Sequence, residues 1–369
     1  MSTSQNNDSI SLGRGSPKTN AVGIIGTGPI AFGYAAFLAA NGFGSEIWSP
    51  SDRYGHEIPI TASGAVQMEC KPALAKTAKG MVENCSVVII AVPAYGHKDV
   101  IDQISPHLRD DQAVIISSHV PFGGQYLQSK LASRRIVPLI IALSTTVLSG
   151  RKTDETHVNI NSVRDQVDMA TLPKSRSEQG LKLCQELFGD RFVLRDDMLA
   201  IALSNLNPQN HLGIALCNLT RMEKGESWVQ AENITPAVGR LLEKLDAERL
   251  AIATALNLKV RNIYEHFSRS FHVKSASVAQ MSAEMVANGH QGKGPTSLET
   301  RYILEDVPYG LVPVVWLGRQ VGVPAVLHEA GITLFNAMYD CDFFKENQLM
   351  NEMMAAEKTD SALLKRLGG

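Results

Sequence analysis

Hydrophobic positions follow two textures along the chain, and the change between them falls near Asp196. Before it, short apolar runs alternate with longer mixed segments. Val22–Ile25, Glu46–Trp48, Asn84–Pro93, Gln112–Ser117, Val137–Leu143, Thr156–Ile160, Gln166–Ala170 and Phe192–Leu194 read as strands. The β-branched run within Asn84–Pro93 has the continuous apolar character of a parallel strand buried on both faces. Ala94–Leu108 has helical character, and Ser177–Phe188 is amphipathic, with Leu181, Cys184, Leu187 and Phe188 at helical spacing. Ser51–Glu69 is irregular, and its Gly, Pro and Thr content reads as turns and short strands. From Met198 onward long helical patterns replace the strands. Thr235–Leu256 is periodic through Val238, Leu241, Leu242, Leu245, Leu250 and Ile252. Pro313 and Pro324 sit where first-turn helix prolines are tolerated, and Leu327, Ala330, Leu334 and Met338 trace one apolar face.

Strands alternating with helices predict an α/β, Rossmann-type doubly wound parallel sheet, and the later texture predicts an all-α C-terminal domain. The expected boundaries are a disordered polar tail over 1–19, the sheet domain over 20–197 and the helical domain over 198–369. The cleft between two such domains is the default place for an active site.

Composition narrows the function classes. A net charge of -2 gives no basic patch and no case for a nucleic-acid partner. The five cysteines are scattered, without CxxC pairs or metal-ligand spacing, which suits a reducing compartment, free thiols and no bound metal. The longest apolar run, Val137–Leu148, carries Pro138 and is too short to span a bilayer. The N-terminus lacks an apolar core of the secretory kind, so the cytoplasm is the expected location. A homodimer is compatible with all of this, and the oligomeric state is left open.

Chemistry enters at Ala21–Arg53, which reads strand, glycine turn, small-residue helix, strand. That is the form of a dinucleotide-binding βαβ unit. Gly26 permits the tight turn. Gly28, Pro29 and Ile30 bring the backbone and helix N-terminus to a pyrophosphate, and Ala31 replaces the third glycine of the usual pattern. An acidic residue closing the second strand favours NAD. Here Ser49 holds that place, followed by Ser51 and Arg53, a set suited to a 2′-phosphate; Asp52 argues the other way. NADP is therefore the expected cofactor, with NAD open. Val92, Pro93 and Ala94, past the end of the buried run, are placed to line the nicotinamide end, with His97 and Ser117–Ser118–His119 near other strand ends.

Two later segments carry the remaining candidates. In LSNLNPQNHLGIALCN, Asn207, His211 and Asn218 share roughly one helical face, although Pro208 either bends or starts the helix between the first two. An imidazole there suits proton transfer near neutral pH, or the satisfaction of core polar groups. In GKGPTSLETRYILEDVPYGL, Glu299, Arg301, Glu305 and Asp306 cluster before Pro308. An Arg301–Glu305 pair on a solvated helix face is the plain reading, yet a helix end near Asp306 would let that carboxylate turn inward. The glycines from Gly289 to Gly294 lack the spacing and the Ser/Thr of a phosphate loop.

Together GTGPIA, AVPAYGHKDVI, VDMATLP, NLNPQNHLGIALCN, RYILEDVPYGLVP and GVP resemble, in order, the octopine/nopaline (opine) dehydrogenase family, over about Asn20–Met338. The resemblance implies reductive condensation of an amino acid or amine with a 2-oxo acid, the imine being reduced by NADH or NADPH. It implies that His211 is the proton donor and acceptor, that Asp306 orients and charges it, and that Arg301, with Asn207 nearby, binds substrate. The loop SSHVPFGG departs from the Asn-Pro-Gly type turn expected of many members. Two alternatives stand beside this reading: a simple 2-oxo acid reductase of the ketopantoate reductase type, for which no matching catalytic lysine is evident, and a non-catalytic dinucleotide-sensing protein.

Overall fold

The computed structural model describes residues 21–51, 58–118 and 121–356. The expected N-terminal tail, Asp52, Arg53 and His119 lie outside the described residues. The chain divides into two units between Ile201 and Ala202.

The first unit holds β1 (Val22–Ile25), α1 (Pro29–Ala40), β2 (Ser45–Trp48), β3 (Ile60–Gly64), β4 (Met68–Cys70), β5 (Ala73–Leu74), α2 (Ala78–Asn84), β6 (Val87–Ile90) and α3 (His97–Ile104). It continues through β7 (Ala113–Ile116), α4 (Gly123–Ala132), β8 (Leu139–Leu143), β9 (Leu148–Lys152), β10 (His157–Val163), β11 (Val167–Leu172), α5 (Ser177–Phe188) and β12 (Phe192–Leu194). An eight-stranded sheet runs β12-β11-β8-β7-β6-β1-β2-β5. From β8 to β5 the pairings are parallel, whereas β11 meets β8 antiparallel and carries β12 beside it. The apolar run of β6 is buried along its whole length, as its composition predicts.

A second sheet, β4-β3-β10-β9, is not distinguished by the sequence pattern, which reads its strands as irregular or as members of the main sheet. Its effect is on α1, which packs against β1 and β2 and against all strands of the second sheet. A helix covered on every side must be apolar on every side. The residues PIAFGYAAFLAA are, with Ala31 through Leu38 all buried. Close approach falls at Gly33, where a Cβ would stand 2.5 Å from Leu148 of β9. The core thus joins Phe32, Tyr34 and Phe37 to Leu148, Val158, Ile160 and Phe188.

Helix α6 (Met198–Ser204) spans the division, and the second unit continues as helices: α7 (Asn207–Glu223), α8 (Pro236–Ala255), α9 (Ile263–Phe271), α10 (Val278–Ala287), α11 (Arg301–Leu304), α12 (Val312–Gln320), α13 (Val326–Tyr339), α14 (Phe343–Glu346) and α15 (Gln348–Ala356). The helix α7 packs against α8, α11 and α13. Two expectations change here. Pro324 lies ahead of α13, whose N-cap is Ala325, so only Pro313 occupies a first turn. The face Leu327, Leu334 and Met338 is exposed by 37%, 46% and 47%, while His328, Gly331, Ile332 and Phe335 turn inward. The helix has two apolar stripes, and the one with the small Gly331 fits against Leu212 of α7.

Candidate active site

Each unit carries one set of the expected residues. In the first, strand register brings the loops together: Ile25 pairs with Trp48 and Ile90, and Ile90 with Ile116. Gly26, Ser49, Ala91 and Ser117 therefore leave the same edge of the sheet. β1 lies between β2 and β6, so the chain reverses its order along the sheet at this point, where α/β sheets take ligands.

Gly26 has φ +120°, and a Cβ there would stand 2.8 Å from the Ala91 carbonyl oxygen, so both the turn and its approach to β6 require glycine. Gly28 is the N-cap of α1, and a Cβ on it would meet no atom of the described residues within 4 Å. Pro29 opens the helix, and Phe32 N–H is the first to find an intrahelical carbonyl, that of Gly28 at 3.1 Å. The amide N–H groups of Ile30 and Ala31 precede it, as a helix N-terminus dictates. Open space at Gly28, beside a helix N-terminus, is the form of an anion cradle.

Ser49 follows β2, and its hydroxyl lies 3.0 Å from that of Ser51. Arg53 lies outside the described residues. Past β6, Val92 is half-buried and Pro93 exposed, while Ala94 is packed inward. His97 is fully buried, and burial pushes its imidazole down to about 4. Neutral at ordinary pH, it donates from Nε2 to the Val92 carbonyl at 3.1 Å, and so braces the loop from behind rather than facing a ligand. Ser117 is likewise occupied: its hydroxyl bonds Tyr34 Oη at 2.6 Å, and Tyr34 Oη also accepts the Val147 N–H at 3.0 Å.

In the second unit Pro208 starts α7 and does not bend it. Asn207 and His211 are one turn apart. Asn218 sits at an internal break with φ -127°, and its amide donates to the Ile214 carbonyl at 2.9 Å, so it belongs to the backbone of α7 and not to the His211 cluster. His211 Nδ1 lies 2.5 Å from Asp306 Oδ2, with both side chains largely buried. A carboxylate accepts, so Nδ1 donates, and Nε2 remains to take or give a proton.

The helix α11 ends at Leu304 with Glu305 as its C-cap, so a helix end does fall near Asp306, which is the N-cap of the next turn. The chain passes Pro308 in a π-helical turn, Val307–Leu311, and continues directly into α12. The wider turn accommodates a residue that has no N–H and crowds the preceding turn. It also brings Gly310 against α7: a Cβ at 310 would stand 2.4 Å from Pro208. On the other side, Gln209 donates to Asp246 Oδ1 at 3.0 Å. Asp246 is paired at 2.7 Å with buried Arg249, whose guanidinium also donates to the Leu203 and Arg261 carbonyls. Arg301 Nε is 3.9 Å from Glu305 and its side chain is 56% exposed, which leaves the guanidinium accessible to a substrate.

Sequence reasoning missed Tyr302. Its ring stacks on His211 with centroids 3.5 Å apart and planes within 9°, and its hydroxyl donates to Gln230 Oε1 at 2.5 Å. The tyrosine stands inside the recognised RYILEDVP segment, but no periodicity relates it to His211 or Gln230. Among the described residues no group of His, Cys, Asp and Glu could hold a metal ion, and no helix is long and apolar enough to cross a membrane.

Comparisons with known proteins match two parts of the chain to separate family models. Residues 194–339 match the family model described as NAD/NADP octopine/nopaline dehydrogenase, alpha-helical domain, and residues 21–120 match one described as NADP oxidoreductase, coenzyme F420-dependent. An opine dehydrogenase of Arthrobacter sp. (strain 1C) is 31% identical over 348 residues, covering 91% of this chain and 95% of that one. A D-nopaline dehydrogenase of Agrobacterium tumefaciens (strain T37) is 20% identical, with 79% of each chain covered. In fold, the chain is similar to octopine dehydrogenase in complex with NADH and agmatine (TM-score 0.73, 16% identity, 87% of this chain and 89% of that one). It is also similar to NADP+-bound yersinopine dehydrogenase (TM-score 0.68, 15% identity, 91% and 99%). The chain belongs to the octopine/nopaline (opine) dehydrogenase family of NAD(P)-dependent oxidoreductases.

Proposed function

We propose that this protein condenses the amino group of an amino acid or amine with a 2-oxo acid and reduces the resulting imine, with NADPH as preferred donor and NADH as the alternative. The observation that carries the reading is the His211–Asp306 pair at 2.5 Å, five residues from an accessible Arg301, inside the segment that matches the family model.

The first unit fits a dinucleotide. The strained Gly26 turn, the open space over Gly28 and the unpaired first-turn amides of α1 are what a pyrophosphate needs. Gly28, Pro29 and Ile30 would hold it, Ser49 and Ser51 with Arg53 would receive the 2′-phosphate of NADPH, and Val92 and Pro93 would border the nicotinamide. When bound, the cofactor supplies the hydride.

The chain's own residues supply the rest. Arg301 offers a fixed cation to a substrate carboxylate, which aligns the carbon to be reduced. Asn207, one turn before His211, contributes an amide donor and acceptor beside the reacting group. Asp306 accepts from Nδ1 and keeps Nε2 facing the substrate. From there His211 gives a proton to the carbonyl oxygen as water leaves, and exchanges one with the nitrogen as the imine is reduced. The test is to mix the protein with NADPH and a panel of 2-oxo acids, with and without amino acids and amines, and follow loss of the reduced-nicotinamide absorbance. Turnover that requires both organic substrates is expected. Turnover with a 2-oxo acid alone would favour a simple oxo acid reductase, and bound cofactor with no turnover across the panel would overturn the reading.

A further inference from the structure

The glycine run Gly289–Gly294 has no part in phosphate binding, and Tyr302 has no part in the chemistry just described. The structure joins them. Val229 pairs with Lys293 in an antiparallel bridge. Gln230 N–H donates to the Gly292 carbonyl at 2.9 Å, and Gly294 N–H donates to the Trp228 carbonyl at 3.0 Å. Trp228 Nε1–H closes the bridge on the Pro295 carbonyl at 2.9 Å. A Cβ at 294 would stand 2.2 Å from the indole of Trp228, so the two segments meet this closely only over glycine. Gln230 emerges from this bridge and accepts the Tyr302 hydroxyl at 2.5 Å, while the Tyr302 ring lies flat on His211.

The imidazole thus has two constraints of different kinds. The Nδ1–H to Asp306 bond fixes one point of the ring. It leaves the plane some play, because a single hydrogen bond tolerates a range of angles and the second torsion of histidine is broad. A face contact at 3.5 Å removes that remaining swing. We propose that Tyr302 is a positioning residue: its ring sets the plane of His211 and hence the direction of Nε2, and Gln230, held by the Gly292–Pro295 bridge, sets the ring. This rests on His211 being the proton donor and acceptor of the proposed reaction.

The test compares Tyr302→Leu, Tyr302→Phe, Gln230→Leu and Gln230→Glu in the full chain, by kinetics and by NMR of the His211 Nδ1–H in histidine-labelled protein. Tyr302→Leu is expected to lower kcat by about 10- to 100-fold, the scale of a misplaced reacting group, with KM for both organic substrates little changed. Tyr302→Phe keeps the stack but loses the tether, so it and Gln230→Leu are expected to share one loss smaller than that of Tyr302→Leu, and Gln230→Glu, which keeps an acceptor, recovers what Gln230→Leu loses. The Nδ1–H resonance is expected to be single and slowly exchanging in the wild type and in Tyr302→Phe, and broadened in Tyr302→Leu. Wild-type kcat and an unchanged resonance in Tyr302→Leu would overturn the proposal. So would equal losses in Tyr302→Leu and Tyr302→Phe, which would place the effect in the hydroxyl alone. If no substrate pair turns over, the resonance still decides: broadening in Tyr302→Leu sustains the positioning role while the proposed reaction falls, and no change overturns the role.

Discussion

His211 is the residue on which the proposed chemistry converges, and its neighbours make separable predictions. His211→Ala is expected to lower kcat by about 10²- to 10⁴-fold, the usual worth of a positioned acid–base group. Cofactor binding should stay near wild type, because the cradle at Gly26–Ile30 belongs to the other unit. Full activity in His211→Ala would refute its role. A different histidine contributes to acid stability. His97 is buried and held neutral, its value lowered by burial from 6.5 to about 4. Above 6.5 neither the folded nor the unfolded form is charged there, and no cost arises. As the pH falls from 6.5 towards about 4, the unfolded chain takes up a proton that the folded chain refuses. Folding stability is then lost progressively, to a limit of about 3 kcal/mol. Thermal unfolding followed across this range should show that slope, and His97→Gln should flatten it.

At the scale of elements, α7, which carries His211, meets the π-helical turn that follows Asp306. Gly310→Ala would force a Cβ to within 2.4 Å of Pro208 and push the two segments apart. A loss of about 1–3 kcal/mol in stability is expected, the usual cost of overpacking, with a fall in kcat beyond what stability explains. A variant of unchanged kcat would show that this contact does not set the pair. These elements also show what is legible in sequence and what is not. The strands β1, β6 and β7 follow from continuous apolar runs, and α5 from its spacing, because each is set by local periodicity. The second sheet is set by pairings between β3 and β10, nearly a hundred residues apart, which local pattern does not encode. The same holds for the site. Gly26, Gly28 and the Asn207–His211 helix start announce themselves through turn and cap chemistry. The stack of Tyr302 on His211 and its tether to Gln230 arise from tertiary packing alone. Pro308 marks the end of α11 at Leu304 in advance, but the π-helical turn that follows it is not written in the local pattern.

At the scale of the whole molecule, the proposed cofactor cradle belongs to the first unit and the His211–Asp306 pair to the second, so a ligand of one can be read without the other. NADPH at about a hundred times its Kd should stabilise the protein by about 2.7 kcal/mol. The thermal shift with NADPH is expected to exceed that with NADH at equal concentration, and Arg53→Ala should erase the difference. An unchanged preference would remove Arg53 from the cofactor argument. The enclosure of α1 between two sheets has a further consequence, in the time domain. Amides of a helix covered on both sides exchange with deuterated water only through openings that disrupt both sheets at once, so those from Phe32 to Leu38 should be among the slowest in the protein. Ile30, half-buried at the uncapped start of the same helix, needs no such opening. One helix therefore holds a slow clock and a fast one side by side. Bound nucleotide should slow the fast amide of Ile30 alone, which would locate the anion cradle on the helix.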